Sequence, residues 1–205
     1  MLFGPGGVGK GTVAEQLVAA DPLLRLSRSW TTRARRLGEP EDAYVFVDRP
    51  TFQAGIEADR FFEWAEFLGN LYGTPLAEAG DGRDVLLEID LQGARNVRLL
   101  RPDATLILLK APSPDVQEAR LRARGDDEAH IAERLRTGAE EEKEGLAIAD
   151  AVVVNHDVTQ ATADVAGIVD RYRLATGDGV PPVRGTAGAP DATLDATPED
   201  RPEGS

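Results

Sequence analysis

Two rhythms of apolar and polar residues run along this chain. Short apolar runs, DVLLEI (84–89), ATLILLK (104–110) and AVVVN (151–155), predict strands buried on both faces. Longer stretches with helical spacing separate them, at 91–100, 114–124 and 129–146. Strand, helix and strand in alternation predict βαβ units, and hence an α/β fold with a parallel sheet flanked by helices. LLRLSRSW (23–30) predicts a further, more polar strand, and 12–20 a helix. Between 31 and 83 the rhythm changes, and residues 44–47 and 61–67 read as strands of a smaller, mixed β insert. In the helix at 129–146, Ile131, Leu135 and Leu146 are the expected inward positions and EEEKE (140–144) a solvated face. From 176 to 205 the chain holds five Pro, five Gly, six acids and two Arg. Such a stretch cannot bury enough apolar surface to offset its ordering entropy, and is expected to be a disordered acidic tail behind a domain of residues 1–175.

Charge narrows the partners. With 36 acids against 23 Lys and Arg in 205 residues, a net charge of -13 argues against nucleic acid and against an anionic membrane as ligand. No apolar run approaches the ~20 residues of a bilayer span, and the Pro- and Gly-rich start does not read as a signal peptide, which points to the cytoplasm. The absence of Cys excludes thiolate catalysis and Cys-bound zinc, and two His far apart in sequence suggest no metal cluster.

The candidate chemistry begins at GPGGVGKGT (4–12). In the phosphate-loop pattern G-x-x-x-x-G-K-[ST], backbone N–H groups converge on phosphate oxygens and the Lys reaches the outer phosphates. Gly4, Pro5, Gly6, Gly7, Val8, Gly9 and Lys10 fit, but Gly11 has no hydroxyl for a cation, and Thr12 offers one a residue later. Alone, the stretch could equally be a Gly-rich turn before a helix. Only Met1, Leu2 and Phe3 precede it, a short strand for such a loop, so the natural start is expected upstream. A second feature lies between Pro22 and Gly38, where five Arg (25, 28, 33, 35 and 36) stand without one acid. In so acidic a chain this cluster reads as a phosphate site, or else as a solvated basic loop.

Taken in order, S-W-T-T-R-A-R-R (29–36), Y-V-F-V (44–47), F-E-W-A-E-F-L-G-N-L-Y-G-T (62–74) and E-I-D-L-Q-G (88–93), together with the loop, resemble the guanylate kinases, nucleoside monophosphate kinases of the P-loop fold, over roughly residues 3–173. The resemblance implies a core of residues 1–30 and 84–175, a GMP-binding insert at about 31–83 and a helical lid at about 120–140. It implies transfer of the γ-phosphoryl group of ATP to GMP or dGMP. Ser29, Arg33, Arg36, Tyr44 and Tyr72 fall on the GMP phosphate ligands and Glu63 and Thr74 on the guanine readers, with Asp90 beside the phosphate path. Residues 4–12 and Asn155 fall on ATP ligands, and Arg120, Arg124 and Arg134 on lid arginines, with Gly125 a candidate hinge. Mg²⁺ is implied as cofactor, held through the phosphates, with no direct protein ligand assigned beyond the hydroxyl of Thr12. ATP and GMP are then the partners of a monomer or small homo-oligomer. Gly11, Trp30, Glu88 in place of the family's Asp, and His156 depart from the pattern. Two alternatives stay open: a guanylate-kinase-like binding module without turnover, and a nucleotide kinase with another acceptor.

Overall fold

The computed structural model describes residues 1–36, 38–67, 69–76 and 82–176. The expected tail therefore lies outside the described residues, except Thr176, which ends a helix. In chain order the elements are β1 (Leu2–Phe3), α1 (Lys10–Ala20), β2 (Leu24–Ser27), β3 (Trp30–Thr31), β4 (Val45–Phe46), α2 (Arg49–Glu57), β5 (Phe61–Phe67), β6 (Asn70–Pro75), β7 (Asp84–Ile89), α3 (Leu91–Leu100), β8 (Ile107–Lys110), α4 (Pro114–Ala123), α5 (Glu128–Ile148), β9 (Ala151–Val154) and α6 (Val158–Thr176).

A five-stranded parallel sheet in the order β2-β7-β1-β8-β9 forms the core. Alternation along the strands sends side chains to two faces. Leu2, Leu86, Ile107, Leu109 and Val153 pack with Val13, Leu17 and Val165 of α1 and α6. Phe3, Ile89 and Leu108 pack on the other face with Leu91, Ala94 and Val97 of α3. Helices start where side chains satisfy free N–H groups: Asp48, Asp90, Ser113 and Asp127 cap α2, α3, α4 and α5. Pro50 and Pro114 fill first-turn positions that need no donor.

The expected strands at 84–89, 61–67 and 151–155 and the helix at 91–100 stand close to their predicted bounds. The 104–110 strand begins only at Ile107, the 44–47 strand narrows to Val45–Phe46, and α2 and β6 had no strong period to announce them. One inward position is corrected. Leu146 of α5 is 49% exposed, whereas Ile131, as expected, and Gly138 and Gly145 are the buried positions of that helix. A Cβ on Gly145 would lie 3.1 Å from Phe3 and 3.2 Å from Leu108, so α5 approaches the sheet through absent side chains rather than through leucines.

The second sheet, in the order β4-β3-β6-β5, is mixed: β3 and β4 are parallel, and β6 runs antiparallel to both β3 and β5. It leans on the core through α3 and β5. Stacked Phe52 and Phe61, with Trp30 edge-on to Phe61, form its small aromatic centre. Trp30, bulky for its place, is thereby used. Among the described residues no helix is long and apolar enough to cross a membrane.

Candidate active site

Every segment that carries a candidate residue leaves the carboxyl end of a core strand or arches over that end, where parallel α/β sheets open a crevice. The loop from Gly4 to Gly9 links β1 to α1. Gly4 has φ 146°, and a Cβ there would sit 2.4 Å from the Leu109 carbonyl oxygen. Gly9 has φ 94°, and a Cβ would meet the Asn155 amide at 2.5 Å. Side chains hold the loop by its carbonyls: Gln117 Nε2 donates to Gly6 O (2.7 Å), Asn155 Nδ2 to Val8 O (2.9 Å) and Arg120 Nη1 to Val8 O (3.2 Å). With those oxygens tied to the scaffold, and α1 beginning at Lys10, the loop has the makings of an anion cradle. The Lys10 ammonium arches back over it, donating to Gly4 O (2.8 Å) and Pro5 O (3.1 Å). Gly11 and Thr12 lie on the first turn of α1, Thr12 exposed.

Two expected ligands thus stand behind the loop. Asn155 is 3% exposed, with its Oδ1 buried and lacking a hydrogen-bond partner among the described residues, and Arg120 also donates to Asn155 O (2.9 Å). Their observed bonds support loop geometry.

In the insert, the Arg33 guanidinium grips Glu39 with both Nη atoms (3.0 and 2.7 Å) and lies over the rings of Tyr44 and Phe46 at 5.4 and 5.6 Å. Glu39 also accepts from the Arg36 backbone N–H (2.9 Å). Burial alone would raise the Glu39 carboxyl; the Arg33 hydrogen bonds and the charges of Arg33 and Arg36 hold it below the ordinary range. The Arg36 guanidinium itself makes no hydrogen bond or ion pair among the described residues. Burial first, then repulsion from Arg124, Arg33 and Arg134, push its pKa down. Tyr44 faces Tyr72, ring centroids 6.3 Å apart, and burial pushes its phenol up. Ser29 reaches the same end of the sheet, its carbonyl accepting from Val45 N.

Glu63 and Thr74 are cross-strand partners on β5 and β6, and the Thr74 hydroxyl donates to Glu63 Oε1 at 2.6 Å. Asn96 of α3 reaches Glu63 Oε2 at 3.5 Å, a residue unread in the sequence because a lone polar position on an amphipathic helix has no signature. Burial raises the Glu63 carboxyl despite the Thr74 and Asn96 hydrogen bonds. Asp90 caps α3 through Gly93 N (2.8 Å), and its charge is felt at Glu63.

The third wall is the hairpin of α4 and α5, turning at Gly125 (φ 86°). Arg124 and Arg134 bracket Asp126 there. Arg134 Nη1 would stand 2.8 Å from a Cβ on Gly6, directly over the loop. Glu88, at the end of β7, feels both Lys10 and Arg124, and burial raises its carboxyl; its Oε2 lies 3.6 Å from a Cβ built on Gly11. Glu141 corrects the solvated reading of EEEKE, since it is half-buried and feels Asp90, Lys10 and Arg134, while its neighbour Glu142 pairs with Lys110. No group of three or more His, Cys, Asp or Glu among the described residues is placed to hold a metal ion.

This arrangement has close relatives. The profile of the guanylate kinase family matches residues 1–172. The guanylate kinase of Parasynechococcus marenigrum is 43% identical over 174 residues, 82% of this chain and 96% of that one. That of Rubrobacter xylanophilus is 41% identical over 87% of this chain and 95% of its own. The crystal structure of guanylate kinase from Anaplasma phagocytophilum superimposes with a TM-score of 0.71 at 31% identity, covering 87% of each chain. The chain belongs to the guanylate kinase family.

Proposed function

We propose that this protein transfers the γ-phosphoryl group of ATP to GMP or dGMP, giving ADP and GDP or dGDP. The observation that carries the reading is a convergence: Arg33 and Arg36 from the insert and Arg124 and Arg134 from the lid form one cationic cluster, electrostatically coupled at Arg36, above a phosphate loop. Beside it stands a buried carboxylate and hydroxyl pair suited to a purine edge.

The chemistry needs no general base. The second pKa of a nucleotide phosphate is near ~6, so the acceptor oxygen is a nucleophile at neutral pH. What remains is alignment and neutralisation of the charge on the transferred group. The loop of residues 4–12, through its backbone N–H groups other than at Pro5, which has none, and the Lys10 ammonium hold the ATP phosphates. Arg36, whose guanidinium lacks an ion pair among the described residues, takes the acceptor phosphate with Arg33, Ser29, Tyr44 and Tyr72. Glu63 accepts from guanine N1–H and the exocyclic amine and Thr74 donates to O6, a polarity that adenine reverses. Arg124 and Arg134 close on the γ-phosphoryl group and exclude water. Asp90 orders the acceptor side, and Arg120 and Asn155 keep the loop in shape. Mg²⁺ bound through the ATP phosphates would spread the charge of the transferring group. The hard oxygens here, the Thr12 hydroxyl and the Glu88 carboxylate beside Gly11, fit such a cation without forming a closed protein site.

An ADP-release assay with ATP and a panel of AMP, GMP, CMP, UMP and dGMP tests the reading. GMP and dGMP are expected to lead; best turnover with AMP would overturn it. Lys10→Ala should cost roughly a hundredfold or more in turnover, as loss of one phosphate donor does, while calorimetry still detects GMP binding.

A further inference from the structure

We propose that Asp126, at the lid turn, is a positioning residue that holds Arg124 and Arg134 assembled over the phosphate loop. The proposal rests on the phosphotransferase reading above and adds a residue to it.

The argument begins with charge. Arg36, Arg124 and Arg134 stand near enough that the last two depress the ionisation of the first. Like charges gathered in a partly desolvated cleft repel, and a carboxylate placed among them offsets that repulsion. Glu88 feels the charge of Arg124 and Glu141 that of Arg134, but Asp126 pairs directly with both arginines. The Asp126 side chain is only 7% exposed, a degree of burial that acids reach chiefly when paired. Its Oδ2 accepts from Arg124 Nη2 at 2.5 Å and lies 3.7 Å from Arg134 Nε. The pairing is economical of donors. A guanidinium carries five N–H groups, and Asp126 engages one edge of each arginine. Arg134 thus meets Asp126 through Nε while its Nη1 reaches over Gly6. Substrate phosphates can therefore bind the free edges without displacing Asp126. Nearby charges differ in this respect: Asp127 caps α5 and Glu128 pairs with Arg122, both away from the cluster.

A group that preassembles transition-state cations acts on turnover more than on ground-state binding. Asp126→Asn keeps the shape and removes the charge. The expected result is a kcat lower by roughly tenfold, as small misplacements of catalytic groups produce. The KM values for ATP and GMP should not rise, since a negative charge has left an anion site. A mutant cycle supplies the second readout: in an Arg124→Ala/Arg134→Ala background, where both partners are gone, Asp126→Asn should cost less than twofold in kcat. Three results would overturn the proposal: kcat within twofold of wild type, a multiplicative loss in the Arg124→Ala/Arg134→Ala background, or an Asp126→Asn protein that no longer folds, which would make the residue structural. Absence of GMP-dependent turnover in the wild type would instead defeat the phosphotransferase reading and this proposal with it.

Discussion

Glu63 shows how a residue proposed to bind the base is held at the expense of stability. Its carboxyl is raised chiefly by burial, against which Thr74 and Asn96 supply hydrogen bonds. A carboxyl whose folded pKa lies above its unfolded value favours the folded state in its protonated form. That stability is complete below the ordinary glutamate pKa and is lost as the pH rises through the raised one. Glu63→Gln removes the titration while leaving an oxygen for the Thr74 hydroxyl. Thermal melts should show the variant above wild type at pH 8 and level with it near pH 4; a lower melting temperature at pH 8 would contradict the argument. Binding moves the other way. A glutamine amide N–H would confront guanine donors, and an unpaired buried donor costs about 1–3 kcal/mol. GMP affinity should fall roughly 5- to 150-fold in titration calorimetry, without a matching loss for ATP. Sequence alone reached this residue only through its place in a linked set of motifs. Asn96, Glu141 and Asp126 escaped because each is one polar residue among many, and their meaning comes from what the chain brings opposite them.

At the scale of elements, legibility followed side-chain period. β7, covered on both faces, announces itself as an apolar run and α3 as an amphipathic stretch; β9 reads as an apolar run too, but it is an edge strand with Val152 and Val154 45% and 40% exposed, so the expectation of burial on both faces is corrected there. α5 misleads because its contact with the sheet is made where side chains are missing. Gly145 faces Phe3 and Leu108, both fully buried and unable to yield. A larger residue there must overpack the core, which typically costs about 1–3 kcal/mol. Gly167 of α6 contrasts with it: the nearest atom to its would-be Cβ is Arg171 Nη1 at 3.7 Å. Gly145→Val should therefore lower the melting temperature, by roughly 2–4 °C per kcal/mol in a chain of this size. Gly167→Ala should raise it, since Ala gains about 1 kcal/mol over Gly inside a helix. If both shifted alike, helix propensity rather than packing would govern α5. β6 stayed faint for another reason: interrupted by Gly73 and ended by Pro75, it draws its stability from cross-strand partners on β3 and β5 that a single segment does not reveal.

The whole molecule separates its two tasks along the strand direction. The phosphate loop, Asp90, Asn155 and the arginine cluster collect at the carboxyl ends of the core strands, whereas the amino ends carry a different ionic knot. There Arg173 of α6 donates to Asp84, the first residue of β7, and to Asp21, just before β2, each at 2.6 Å. Both carboxylates are largely buried, with side-chain exposures of 15% and 22%, and the knot fastens the final helix across the sheet. Removing the cation leaves two acids without their shared partner in a protein whose net charge is already -13, so each must be hydrated again. A partly exposed pair of this kind is worth less than a fully buried one, because water screens what remains. Arg173→Ala should nevertheless lower the melting temperature at pH 7. At a temperature where the variant is still folded, its KM for GMP and its kcat should match wild type, since no group of the knot reaches the crevice. A changed KM with an unchanged melting temperature would show that the two ends of the sheet are coupled after all.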